Sequence, residues 1–138
     1  MSSSGLSVWS DPVDSRQLDA EESPVLKISI FLTRRADLTH EEFVEYWTDK
    51  HLPLIASVVD ASVPVRRHVL LMPTGDEIPG LTGIYYDGVV EVWFDTMADA
   101  TRWFTSDTFT TTVAADEENF LDRAKTRFLY ATETPISG

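Results

Sequence analysis

Cysteine is absent from the 138-residue sequence, which excludes disulfides, thiolate nucleophiles and cysteine metal ligands and removes any support for secretion. Basic residues are scarce: 11 Lys and Arg stand against 23 Asp and Glu, a net charge of -12. Such a field repels nucleic-acid phosphates and anionic membranes, and it disfavours highly charged anionic ligands, so neutral or weakly acidic organic molecules are left. No segment approaches the roughly 20 apolar residues needed to cross a bilayer, and residues 1–24, MSSSGLSVWSDPVDSRQLDAEESP, hold no apolar run resembling a signal sequence. A cytoplasmic address is the expectation. Histidine is limited to three positions, His40, His51 and His68. On one helix His40 and His51 would stand about 16 Å apart by rise, too far to share an ion. There is no H-E-x-x-H, no serine elbow and no phosphate-cradling glycine loop, so neither a metal nor a nucleotide cofactor is expected.

With 43% hydrophobic and 25% charged residues, the chain reads as a polar N-terminal tail or arm, 1–24, followed by one globular domain, 25–138. VLKISIFLT after Pro24 predicts a strand with apolar residues on both parities. A helix follows, then a β-rich run from Val63 to Met72 that ends in the turn cluster Pro73, Thr74, Gly75 and Asp76. YYDGVVEVWFD, Tyr85 to Asp95, predicts a third strand. Thr96 with Asp99 opens a second helix whose apolar stripe is Met97, Ala100, Trp103 and Phe104, interrupted near Ser106 and Asp107 and resumed to about Phe120. TRFLYATE is the last strand. The order βαββαβ is the split, ferredoxin-like pattern, an α+β fold with a four-stranded antiparallel sheet and both helices on one face. Ile28, Ile30 and Leu32 oppose Phe31, and Val90, Val92 and Phe94 oppose Val89 and Trp93, so the second face is also apolar. A second copy of the sheet would cover it, making a two-fold homodimer.

The stretch THEEFVEYWTDKHLPLI, Thr39 to Ile55, carries the most information. Thr39 and Glu42 form a capping box, so the helix begins at about His40. Phe43, Trp47, His51 and Leu54 then recur at spacings of four, four and three and make one apolar stripe, flanked by Tyr46 and Ile55. His51 sits at the C-terminal end of that stripe, just before Pro53, where the helix should stop or restart. A lone histidine on an apolar face is more often a satisfied core residue than a functional one.

These residues resemble the EthD family of the dimeric α/β-barrel superfamily, relatives of aromatic polyketide cyclases, muconolactone isomerases and cofactor-free quinone-forming monooxygenases. The resemblance rests on FLTRRADLTHEEFVEYWTDKHLPL, on YDGVVEVWFD, and on DEENFLD together with Glu133, and spans roughly residues 25–134. Arginines followed by T-x-E-E-F-x-x-Y-W-x-x-x-H-x-P-L form its specific part. Ala36 stands where members commonly have proline, and residues 1–24 have no counterpart. The resemblance implies two sheets packed into a barrel between subunits, and in each subunit a cleft between sheet and helices lined by the inner stripe of the first helix.

In that cleft His51 would be a general acid or base, its ordinary pKa near 6.5 suiting proton transfer at neutral pH. Glu91, set among Val89, Val90, Val92 and Trp93, must either ion-pair, with Arg66 or Arg67, or work in the cleft. Tyr46 or Tyr86 is a candidate donor to a developing enolate. Trp47, His68, Tyr86, Trp93, Trp103 and Phe104 are candidate substrate-binding residues, although most aromatics serve packing. The expected function is cofactor-free acid/base chemistry on a small hydrophobic, aromatic or polyketide-like carbonyl compound, by dehydration, cyclisation or isomerisation. The alternatives are a cofactor-independent phenol monooxygenase and a non-catalytic binding or accessory protein.

Overall fold

Four runs of six or seven residues, each with a majority of apolar side chains, pair into one sheet in the computed structural model, which describes residues 25–137; the expected N-terminal tail lies outside the described residues. The elements are β1 (Leu26–Leu32), α1 (His40–Tyr46), α2 (Leu52–Val58), β2 (Val65–Leu71), β3 (Gly88–Phe94), α3 (Met97–Phe104), α4 (Ala114–Glu117) and β4 (Arg127–Thr132). The sheet order is β2-β3-β1-β4, with every neighbouring pair antiparallel. This is the ferredoxin-like arrangement that the order of predicted elements implied.

The register decides which residues face the helices. Ile28 lies opposite Val92 and Ile30 opposite Val90. Ile28, Val92 and Phe94 pack with Ala100, Trp103 and Val113, while Leu32 packs with Phe43, Trp47, Phe120 and Leu121. Each Val, Leu, Ile or Phe side chain among them, once buried, contributes about 1.5 to 3 kcal/mol. The alternate residues Lys27, Ser29, Phe31, Val89, Glu91 and Trp93 therefore occupy the opposite face.

The first helix begins as its sequence dictates. The Glu42 amide donates to Thr39 Oγ1 at 3.0 Å and the Thr39 amide donates to Glu42 Oε1 at 2.9 Å. It does not stop before Pro53. Residues Trp47–His51 form one π turn, in which the Leu52 amide reaches back to the Trp47 carbonyl, and Pro53 then enters in the first turn of α2. Widening the turn by one residue frees the donor positions that proline cannot fill, so the helix restarts instead of ending. Both Trp47 and His51 remain buried on the inner side of this wide turn.

The third strand begins at Gly88, later than the tyrosines that open YYDGVVEVWFD. The preceding residue, Asp87, is only 1% exposed. Its carboxylate accepts from the Arg34 amide at 2.8 Å, the Arg34 guanidinium at 3.1 Å and the Tyr85 hydroxyl at 2.6 Å, and meets His40 Nδ1 at 3.1 Å. Burial opposes its charge, but these partners outweigh that and hold the carboxyl below its ordinary range. The knot ties the loop before α1 to the start of β3.

Gly88 follows because nothing larger fits. A methyl there would stand 2.6 Å from Cη2 of the fully buried Trp47 ring. Gly88→Ala is expected to cost roughly 1 to 3 kcal/mol by overpacking, measured by urea unfolding. An unchanged midpoint would show that the Trp47 ring moves freely.

Candidate functional site

Between the helix side of the sheet and the helices lies a cavity of about 390 Å³, within the range of small-molecule sites. Ile30, Val90 and Val92 form its floor, and Trp47, Trp103 and Phe120 are among its walls. Its wall carries three titratable side chains, His51, His68 and Glu117.

His51 is placed by the π turn and is only 4% exposed. Its Nδ1 lies 2.8 Å from Asp116 Oδ2. The other carboxylate oxygen of Asp116, Oδ1, accepts from the Tyr46 hydroxyl at 2.6 Å and from Asn119 Nδ2 at 3.2 Å, and Asn119 also donates to the Tyr46 hydroxyl at 3.0 Å. Burial opposes ionisation of Asp116, yet hydrogen bonds from Tyr46, His51 and Asn119 prevail and hold its carboxyl below the usual range. Burial also dominates at His51 and lowers its pKa, against the opposing pull of Asp116. The pair at neutral pH is thus carboxylate and neutral imidazole. A carboxylate accepts only, so the imidazole proton sits on Nδ1 and the lone pair on Nε2. The Tyr46 phenol is held in its protonated form by its bond to Asp116. The arrangement is a neutral imidazole able to accept a proton, with its tautomer set from behind, on the wall of a largely apolar cavity.

Glu117 is the next residue along α4 and lines the cavity itself. Burial raises its carboxyl to about 7, against the opposing charge of Arg123, whose Nε stands 3.3 Å from Oε1. His68 lines the cavity from β2 and is lowered by burial and by the nearby His51.

Of the residues singled out in the sequence, His51, Trp47, His68, Trp103 and Phe104 all line this cavity. Tyr46 stands two hydrogen bonds behind His51, its hydroxyl taken by Asp116. Glu91, Trp93 and Tyr86 are not brought there. Glu91 lies across the sheet, bonded to Lys27 Nζ at 2.9 Å and to Ser29 Oγ at 3.0 Å; the ion-pair partner is Lys27, in place of Arg66 or Arg67. Arg66 pairs with Asp95 instead. Trp93 donates from Nε1 to Glu133 and lies under Lys27 and Arg67. Tyr86 packs edge-on against Phe31, on the same outer face. Both strand parities are apolar in sequence, which hides the side that meets the helices. Asp116, Glu117 and Asn119 were missed as site residues because an acidic run reads as a solvated helix face. The only sequence signal for them was the run DEENFLD.

Among the described residues no helix is long and apolar enough to cross a membrane, and no three His, Asp or Glu side chains cluster so as to hold a metal ion. The EthD domain profile matches residues 35–124. An ethyl tert-butyl ether D (EthD) family protein from Bacillus halodurans superposes with a TM-score of 0.59 at 15% identity, covering 80% of this chain and 99% of that one. A dimeric protein of unknown function and ferredoxin-like fold from Bacteroides fragilis gives a TM-score of 0.55 at 15% identity, covering 79% and 96%. An EthD-like protein from Ralstonia eutropha gives 0.52 at 10% identity, covering 83% and 94%. No curated protein sequence matches the chain.

Proposed function

The chain belongs to the EthD family, and on that premise we propose that its cavity performs cofactor-free acid/base chemistry on a small, neutral, hydrophobic carbonyl compound of aromatic or polyketide-like shape. One observation carries this reading: a buried imidazole on the cavity wall is held at Nδ1 by a carboxylate, which leaves Nε2 as a base. Nε2 takes a proton from the carbon next to the carbonyl, and return of that proton elsewhere, or loss of a neighbouring hydroxyl, gives isomerisation, dehydration or cyclisation. The aromatic walls at Trp47, Trp103 and Phe120 favour a flat ligand.

The test uses 2-tetralone, a flat neutral ketone with acidic protons beside its carbonyl. In deuterium oxide, NMR is expected to show exchange of its C1 protons accelerated by the protein. A non-catalytic binding role is the second reading, favoured by the predominance of apolar side chains in the cavity wall. Quenching of tryptophan fluorescence by 2-tetralone without accelerated exchange would establish that alternative.

A homodimer through the outer face of the sheet belongs to the same proposal. Leu71 and Leu129 on that face are 40% and 56% exposed, and the Bacteroides fragilis neighbour is described as dimeric. Light scattering at micromolar concentration is expected to give twice the chain mass, and Leu129→Asp to shift it toward the monomer. A monomeric wild-type protein would remove the dimer from the proposal.

A further inference from the structure

Resting on the acid/base reading above, we propose that Glu117 is the second proton-transfer group of the cavity, a carboxylic acid that donates to the carbonyl oxygen of the ligand while His51 attacks the carbon acid. The geometry assigns the two neighbouring carboxyls of α4 to different tasks. Asp116 turns toward His51 and Tyr46, with its oxygens engaged in hydrogen bonds. Glu117 lines the cavity, and its only polar side-chain partner among the described residues is Arg123, through Oε1. Oε2 is left without a protein partner among those residues, in a wall that otherwise offers only imidazoles and indoles as polar groups. A ketone oxygen is acceptor-only, so it needs a donor there, and the one N–H of neutral His51 is already given to Asp116.

The step balances without an external reagent. Nε2 of His51 takes the proton from carbon, the C–H electron pair becomes the C=C bond, and the carbonyl π pair takes the Glu117 proton as O–H. The product is an enol, with imidazolium and carboxylate left in the cavity. Return of a proton from His51 to the same carbon, or to the far end of a C=C conjugated with the enol, and of the enol proton to Glu117 resets both groups. A ground-state carboxyl near 7 supports this role, because the acid is still substantially protonated when His51 is already neutral.

The charged and titratable groups around Glu117 are Arg123, Asp116 and Glu118 near its own segment and His51 and His68 across the cavity. The experiment must separate Glu117 from the histidines. Binding of 2-tetralone, and of tetralin as the oxygen-free control, is followed by tryptophan quenching across pH in wild type, Glu117→Gln and His51→Asn. In wild type the ketone is expected to bind more weakly at pH 8 than at pH 6, by up to about tenfold, the limit set by loss of one proton near 7. Tetralin affinity should stay constant. Glu117→Gln keeps a donor but cannot ionise, so its ketone affinity should vary less than about twofold over that range. His51→Asn should keep the wild-type slope.

A slope that persists in Glu117→Gln, or that disappears in His51→Asn, overturns the assignment to Glu117 while leaving the cavity as the binding site. A flat wild-type profile with binding retained overturns it too. Failure of both 2-tetralone and tetralin to bind wild type at any pH overturns the cavity reading and this proposal together.

Discussion

His51→Asn is expected to slow protein-dependent exchange of 2-tetralone by roughly 10²- to 10⁴-fold, the usual loss when a general base is removed. The amide nitrogen of asparagine can occupy the place of Nδ1 and still donate to Asp116, so the support behind the histidine survives. Stability should therefore change by about 1 kcal/mol or less. Were His51 merely a core residue, the balance would reverse: stability would fall by roughly 1 to 3 kcal/mol and exchange would decline only with the folded fraction. Asp116→Asn provides a sharper version, because an amide can donate to Nδ1 and move the imidazole proton to Nε2. The base would then be present but in the wrong tautomer. Exchange should drop as in His51→Asn, although no cavity-lining side chain has changed. Full exchange in a folded Asp116→Asn protein would dissociate the pair from the chemistry.

Glu117→Gln is expected to stabilise the protein at high pH and to leave it unchanged at low pH. The carboxyl is raised from 4.5 to about 7 in the folded chain, so the native state holds its proton more tightly than the unfolded state does. That contribution is fully present below 4.5 and is lost as the pH rises through about 7. Above that range wild type carries the cost of a buried carboxylate only partly compensated by Arg123, and glutamine does not. The gap should grow to roughly 2 to 3 kcal/mol by about pH 8.5 and close toward about pH 4. Urea unfolding of both proteins across pH measures it. The depressed pKa of His51 gives an opposite slope at acid pH, but it is common to both proteins and drops out of the difference. A gap that does not vary with pH would mean that the carboxyl is not desolvated.

These two expectations divide along the line between what local sequence specifies and what packing supplies. The capping box of Thr39 and Glu42 and the inward spacing of Phe43, Trp47 and His51 are local properties of one helix, set by a period and by side chains three or four residues apart. They are legible without a structure, as is the order of strands and helices. Pro53 is legible only in part, since it announces a disturbance but not that a π turn absorbs it. Glu91, Trp93 and Tyr86 mark the limit in the strands. Alternation tells which residues share a face, but when both faces are apolar only contact with the helices decides which one lines the cavity. Glu91 went to the far side with Lys27 for that reason. Asp116 and Glu117 mark the limit in the helices. As neighbours in an acidic run they look equivalent and solvated. A chain separation of 65 residues lies between Asp116 and His51, and the folded backbone alone turns one carboxylate to the imidazole and the other into the cavity, because their directions differ by the rotation per residue of a helix. The inward placement of His51 is thus a property of the sequence stripe, whereas its orientation, its lowered pKa and its carboxylate neighbours are properties of the tertiary fold.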